Sequence, residues 1–325
     1  MQSFYLRVSG VVAPSAQGIP VSPAMIFYLL FDKSNVYAKS EILQAVLSST
    51  DLMLELPAVL HKESRLPQFA YCSQIRHVEM PIKSIEGHMR KLVIFSGAGM
   101  SAESGINTFR DSNGLWEQHD IHEVATPEAW AKNPALVQRF YNERRKNILA
   151  AQPNQAHQII ADLQQNFDVQ VITQNIDDLH ERAGSLKVLH LHGNIRFAKS
   201  SGPGAQYSDI LYPITGWQLD LEKDRCPEGY PLRPHVVWFG EAVPAYEQAV
   251  ELVQDAEIFV VIGSTLSVYP VAGLIHQIPV NCLAYYIDPQ ADYQRVPQRY
   301  HLLKHSATQG MQQLQQILAD LIDPA

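Results

Sequence analysis

Residues 91–110 read KLVIFSGAGMSAESGINTFR, an apolar run that empties abruptly into glycine and then into small polar residues. Leu92, Val93, Ile94 and Phe95 make the unbroken stretch expected of a strand buried on both faces of a parallel sheet. Gly97 and Gly99 follow at once and allow a close backbone approach that a side chain would forbid. In such a strand–loop–helix start, loop N–H groups can face a pyrophosphate. The third glycine, Gly105, comes six residues after Gly99, so the spacing departs from G-x-G-x-x-G and a tight structural turn is the competing explanation.

The rest of the chain supplies the material for such a sheet. At 325 residues with 46% hydrophobic, it can hold one large domain or two ordinary ones around an ample core. The net charge of -8 and a pI near 5.9 argue against nucleic acid as the main partner. Cys72, Cys226 and Cys282 are scattered, which fits a reducing compartment and predicts a cytoplasmic setting. The longest early apolar run, residues 24–31, is too short to span a bilayer and has no basic leader, so no membrane segment is expected.

Residues 1–90 carry the least information. Residues 11–23 hold three prolines and read as loop, 25–31 as a buried strand, 40–60 as one or two short helices and 70–80 as another strand. A small added α+β unit is expected there, although Met80 and Met89 also leave room for a later translation start. Past Arg110 the chain turns polar and reads as a mobile loop anchored by Trp116 and Trp130. Residues 134–150 form a helix by periodicity, and Asn154 to Gln165 a second. Residues 169–173, VQVIT, are another buried strand, which gives the rhythm of a doubly wound sheet. Its end, Gln174, Asn175, Ile176 and Asp177, sits where open α/β sheets bind ligands, while a helix cap is the alternative for Asn175 or Asp177.

Taken together, GAGMSAESGINTFR, TQNIDDLHERAG, VLHLHGN and RPHVVWFGE resemble, in order, the motifs of the sirtuins, NAD-dependent protein deacylases. The resemblance covers residue 91 to the C-terminus. It implies a Rossmann-like α/β fold, a parallel sheet with helices on both faces, plus a small inserted module at about residues 193–235. It implies NAD bound by Gly97, Ala98, Gly99, Ser101, Ala102, Phe109, Arg110, Gln174, Asn175, Ile176, Asp177, Gly263, Ser264 and Thr265, with Asp288 and Ala307 at the adenosine end. Ser264 and Thr265 stand transposed relative to the family's usual order. His192 matches the family's catalytic base, assisted by Asn175. It would take a proton from a ribose hydroxyl after the acyl oxygen has attacked the anomeric carbon and expelled nicotinamide. His190, two residues earlier, has no such counterpart. Val236, Val237, Trp238, Phe239, Gly240 and Glu241 match the segment that pairs with the acyl-lysine peptide, and an edge strand with Trp238 and Phe239 in the core is compatible with that role.

The chain departs from the family at residues 197–233. The family's two cysteine pairs, a structural zinc site, are reduced to Cys226, so no metal is expected. The module is then predicted to pack around Tyr207, Leu211, Tyr212, Trp217, Leu219 and Leu221. On the helix at 134–150, Tyr141 and Arg144 share a face and resemble the pair that marks sirtuins accepting succinyl- and malonyl-lysine. Ala129 is read as leaving depth for such chains, and Arg139, Arg145 and Lys146 as solvated. Two other readings compete: an NAD glycohydrolase or ADP-ribosyltransferase on the same fold, and a module that only binds NAD or acyl-peptide.

Overall fold

The structure is a computed structural model and describes residues 7–8, 11–12, 89–107, 115–116, 119–204 and 210–322. The chain divides into two compact units, Met1–Met80 and Pro81–Ala325. In the first, Arg7–Val8 pairs antiparallel with Val11–Val12, so a strand stands at the start of the expected loop. The other expectations for that unit lie outside the described residues.

The second unit is built on six strands. They are β1 (Lys91–Ser96), β2 (Asp168–Thr173), β3 (Val188–His190), β7 (Ile258–Ile262), β8 (Leu283–Ile287) and β9 (Tyr300–Leu303), all parallel in the order β9-β8-β7-β1-β2-β3. Both faces of β1 are covered. Leu92 and Ile94 join a cluster with Ile160, Met311 and Leu314, whereas Val93 and Phe95 join another with Val253, Leu274 and Tyr286. Such residues are fully enclosed, and each contributes about 1.5–3 kcal/mol by leaving water. That burial on two sides is why the strands read as continuous apolar runs.

Helices α1 (Pro134–Ala150) and α2 (Gln155–Asp162) begin where their sequences say they should. Pro134 stands in the first turn of α1, and the Asn133 side chain accepts from Leu136 N at 3.1 Å. Asn154 caps α2 by accepting from Ala156 N and His157 N, while His157 Nδ1 accepts from Asn154 N. Helices α3 (Tyr246–Gln254) and α4 (Ala307–Ile322) complete the layers. The polar stretch after Arg110 is more ordered than a mobile loop where it is described: Ile121–Val124 and Pro127–Lys132 are helical, and the Trp130 ring lies 5.7 Å from that of Trp238.

A small antiparallel sheet of β4 (Gly193–Ser200), β5 (Leu211–Pro213) and β6 (Leu232–Val236) stands in the order β6-β4-β5. Its core is Ala198, Ile214, Leu219, Cys226 and Leu232, with Tyr212 against it. Leu219 and Tyr212 are therefore where the sequence puts them. Leu211 is 40% exposed, Trp217 and Leu221 are half-buried, and Tyr207 lies outside the described residues. Cys226 Sγ accepts from Ser200 Oγ at 3.3 Å. Among the described residues no group of three or more His, Cys, Asp or Glu is gathered so as to hold a metal.

What ties this sheet down comes from α1. Gln138 and Asn142 both donate to the Leu219 carbonyl, and Asn142 accepts from Leu219 N. Arg145, read from sequence as solvated, is fully buried. Its Nε donates to Ile195 O at 2.7 Å, and its Nη1 to Trp217 O and Asn142 Oδ1, each at 2.8 Å. Periodicity could not reveal this, because the partners are backbone carbonyls of a segment far along the chain. Arg139 and Lys146 are exposed as expected, with Lys146 Nζ 5.2 Å from the centre of the Trp217 ring. No described helix is long and apolar enough to cross a membrane.

Candidate active site

Strand order reverses between β1 and β7, and a cleft of about 710 Å³ opens at the carboxyl ends of the strands there. The loops leaving β1 and β7 meet backbone to backbone. Gly97 N donates to Ile262 O and Gly99 N to Gly263 O, at 3.0 and 2.8 Å. A side chain at Gly97 or Gly99 would press to within 2.8 Å of Gly263, and one at Gly263 (φ +60°) would run into Met100 N. These glycines are explained by loop-to-loop packing as much as by ligand approach.

Polar side chains lock the floor of the cleft. Asn175 Nδ2 donates to Gly97 O and Ser101 Oγ, both at 3.1 Å, and Ser101 Oγ donates to Asp177 Oδ2 at 3.0 Å. Burial raises the Asp177 pKa against the lowering effect of the Leu179 N–H and the Ser101 hydroxyl. Gln174 Nε2 donates to Ser264 Oγ at 2.9 Å, and that oxygen also accepts from Leu266 N. Thr265 Oγ1 instead lies 2.7 Å from Ser267 Oγ. The transposed pair thus divides its work, with Ser264 turned to the neighbouring loop and Thr265 toward the rim.

His192 follows β3, and its Nδ1 lies 2.9 Å from the Gln174 carbonyl. A carbonyl can only accept, so Nδ1 carries the hydrogen and Nε2 keeps its lone pair. Burial lowers the His192 pKa, with the Gln174 carbonyl pulling the other way, so the ring is a neutral base at neutral pH. His190 is not a bland neighbour. Its Nδ1 meets Asn175 O at 3.1 Å and its Nε2 the Glu181 carboxylate at 2.7 Å. Burial pulls its pKa down, but Glu181 outweighs that and raises it.

A further part of the wall comes from α1 and from residues 236–241, where Val237 N donates to His192 O at 2.9 Å. Tyr141 and Arg144 are buried and line the cleft, and Tyr141 Oη accepts from Trp238 Nε1 at 3.1 Å. Strand β6 ends at Val236, so Val237, Trp238, Phe239, Gly240 and Glu241 are not a strand continuing along the edge. Trp238 is in the core, but Phe239 is 43% exposed, contrary to the reading that put both inside. The Glu241 carboxylate turns inward to Arg233 and to Trp238 N.

Of the residues anticipated from sequence, the cleft gathers Gly97, Ala98, Gly99, Ser101, Ala102, Gln174, Asn175, Ile176, Asp177, His192, Gly263, Ser264, Thr265, Asp288 and Ala307, together with Tyr141, Arg144 and 236–241. Phe109 and Arg110 lie outside the described residues. Ala129 packs in a hydrophobic cluster and is not on the lining, which Ala125 of the same cluster reaches instead. Sequence reasoning missed Glu103, whose carboxylate accepts from Ser306 Oγ at 3.1 Å and Thr308 N at 2.8 Å, capping α4 from the glycine loop. An acid in a loop gives no sign of a partner two hundred residues away. The bare glycine loops, the buried Asn175, Asp177 and Asp288 and the volume of the cleft suit a dinucleotide.

Comparison with known proteins agrees with this geometry. The chain is 47% identical over 232 residues to an NAD-dependent protein deacylase of Bacteroides thetaiotaomicron, covering 71% of this chain and 98% of that one. The fold superposes with TM-score 0.64 and 34% identity on a crystal structure of a Sir2 homologue–NAD complex, over 72% of this chain and 91% of that one. A Sir2 structure holding an inhibitor, 2′-O-acetyl-ADP-ribose and deacetylated p53 peptide aligns with TM-score 0.57 and 28% identity, over 71% and 95% of the two chains. Residues 97–270 match the Sir2 family itself, and with more than half the chain inside that match, the protein belongs to the Sir2 family.

Proposed function

We propose that this enzyme removes acyl groups from protein lysines at the expense of NAD, and that succinyl and malonyl groups are processed at least as well as acetyl. Bound NAD supplies an electrophilic ribose carbon with nicotinamide as its leaving group. His192 Nε2 is the proton acceptor, held in the right tautomer by Gln174 O. Asn175, fixed by Gly97 O and Ser101 Oγ, orients the reacting end, while the glycine loops, Gln174 to Asp177, Gly263 to Thr265, Asp288 and Ala307 hold the dinucleotide. Residues 236–241 take the acyl-lysine chain. The catalytic unit is read as residues 91–325, in keeping with a family match that lies wholly after residue 90. The scattered cysteines support a cytoplasmic setting.

The observation that carries the acyl preference is the burial of Arg144 beside Tyr141 on the wall of the cleft that His192 also lines. A buried guanidinium recognises a carboxylate through paired hydrogen bonds. Nicotinamide release is to be measured with and without acetyl- and succinyl-lysine peptides. Release that depends on peptide supports the deacylase, and peptide-independent release points to a glycohydrolase. Arg144→Met is expected to lose the succinyl reaction by about 1.5–3 kcal/mol while keeping deacetylation. An equal fall in both defeats the acyl assignment.

A further inference from the structure

Arg233 does not line the cleft, yet its side chain is engaged on several sides behind the peptide wall. It lies in β6, buried, and its Nη2 donates to both Glu241 oxygens at 2.8 and 3.0 Å. Its guanidinium carbon sits 3.6 Å from the centre of the Trp238 ring, a stacked cation–π contact. Glu241 Oε2 accepts from Trp238 N at 2.8 Å, and Trp238 Nε1 donates to Tyr141 Oη. One cation therefore ties the beginning of the segment to its end, with the tryptophan clamped between and the tyrosine of the opposite helix fixed by it.

The chemistry suits a clasp. Residues 237–241 leave the sheet and turn, with Phe239 N donating to Ala125 O and Glu241 N to Trp238 O. A turn with so few ladder bonds keeps one shape only if something holds its ends. A buried ion pair adds little net stability over an apolar substitute, and its best-attested use is to fix one arrangement among several. Glu241, with its carboxylate engaged by Arg233 and Trp238 N, holds the wall in place and leaves contact with the acyl chain to the backbone beside it.

We propose that Arg233 is a positioning residue: by pairing with Glu241 and stacking on Trp238 it holds the 237–241 turn in the one form that accepts an extended acyl-lysine chain. The proposal rests on reading 236–241 as the peptide wall, and it makes no demand on which acyl group is preferred.

The test varies NAD and an acetyl-lysine peptide separately in initial-rate measurements on the full chain. Arg233→Met is expected to raise the peptide KM about tenfold or more while the NAD KM stays within about twofold. Arg233→Lys keeps the charge but loses the planar fork, so it should recover only part of the loss. Adding Glu241→Gln to Arg233→Met should cost little further, because both break one clasp. Should Arg233→Met fail to melt cooperatively, Arg233→Lys and Glu241→Gln carry the same comparison. An unchanged peptide KM in the folded variants, or equal rises for peptide and NAD, overturns the proposal. Anisotropy of a labelled acetyl-lysine peptide is read alongside. It reports the clasp even if the wild-type chain turns over no peptide, which separates failure of the clasp from failure of the deacylase reading.

Discussion

At the carboxyl end of the parallel sheet, loops touch one another through bare backbone; in the antiparallel module, strands and turns are tied down by long polar side chains reaching across from α1. The first arrangement has no slack, since Gly97, Gly99 and Gly263 are within van der Waals reach of each other's main chain. The second rests on a small core that, among the described residues, includes Ala198, Ile214, Leu219, Cys226 and Leu232, and on the bonds of Gln138, Asn142 and Arg145. Close backbone packing fails on the addition of one carbon, whereas a polar staple fails on the loss of a donor. The module thus draws rigidity from the helix that also presents Tyr141 and Arg144 to the cleft.

The sharpest way to break that comparison is to place a methyl group in each region. Gly263→Ala combines φ +60° with a Cβ driven into Met100 N, and it should cost about 4 kcal/mol or more, with loss of NAD binding. Gly216 in the module has φ +77° but nothing within 4 Å, so Gly216→Ala should cost only about 1 kcal/mol. Thermal melts and NAD titration decide it, and equal effects would mean that loop packing is not the constraint.

Next in size is Arg145→Met, which leaves the Ile195 and Trp217 carbonyls without their donor. Burial draws the Arg145 pKa down to about 10, which still leaves it cationic at neutral pH. A loss of about 2–6 kcal/mol is expected, at about 1–3 for each of the two orphaned carbonyls. It should be seen first in Trp217 fluorescence, and a melt matching wild type would show that the module stands on its core alone.

His192→Ala should reduce turnover by about 100-fold with NAD affinity retained. Because burial holds the His192 pKa below 6.5, the neutral base persists through mild acid. The acid limb of kcat/KM should therefore fall below that value; a midpoint above it would place another group in the role. The smallest effect is expected from chelation. Overnight EDTA should leave the melting temperature unchanged and metal analysis should find well under one zinc per chain, whereas a stoichiometric, stabilising metal would show that the module is clamped after all.

The two regions also differ in how far they could be read in advance. Strand β1 was legible because burial on both faces writes an unbroken apolar run that glycine and small polar residues then end, and β2 because VQVIT is interrupted only by Gln170. The module was not: its longest strand, β4, reads GNIRFAKS with no apolar run, and its core is scattered over residues 198–232. Within the site, residues carried by a contiguous motif were found. Glu103 and Ala125 were missed because their position on the lining comes from contacts between segments distant in sequence.

Sequence alone determined the doubly wound sheet and the switch-point loops, since periodicity and glycine placement act over a few neighbouring residues, whereas the residues of the cleft were picked out by the resemblance of its motifs to those of the sirtuins. Only the tertiary structure decided the fates of Arg144 and Arg145. They are consecutive on α1, about 100° apart around the helix axis, so one borders the cleft and the other the carbonyls of the module. It likewise decided that Glu241 turns inward to Arg233 and that Phe239 turns out. A side chain's direction is set by which distant surface packs against it, and no local pattern encodes that.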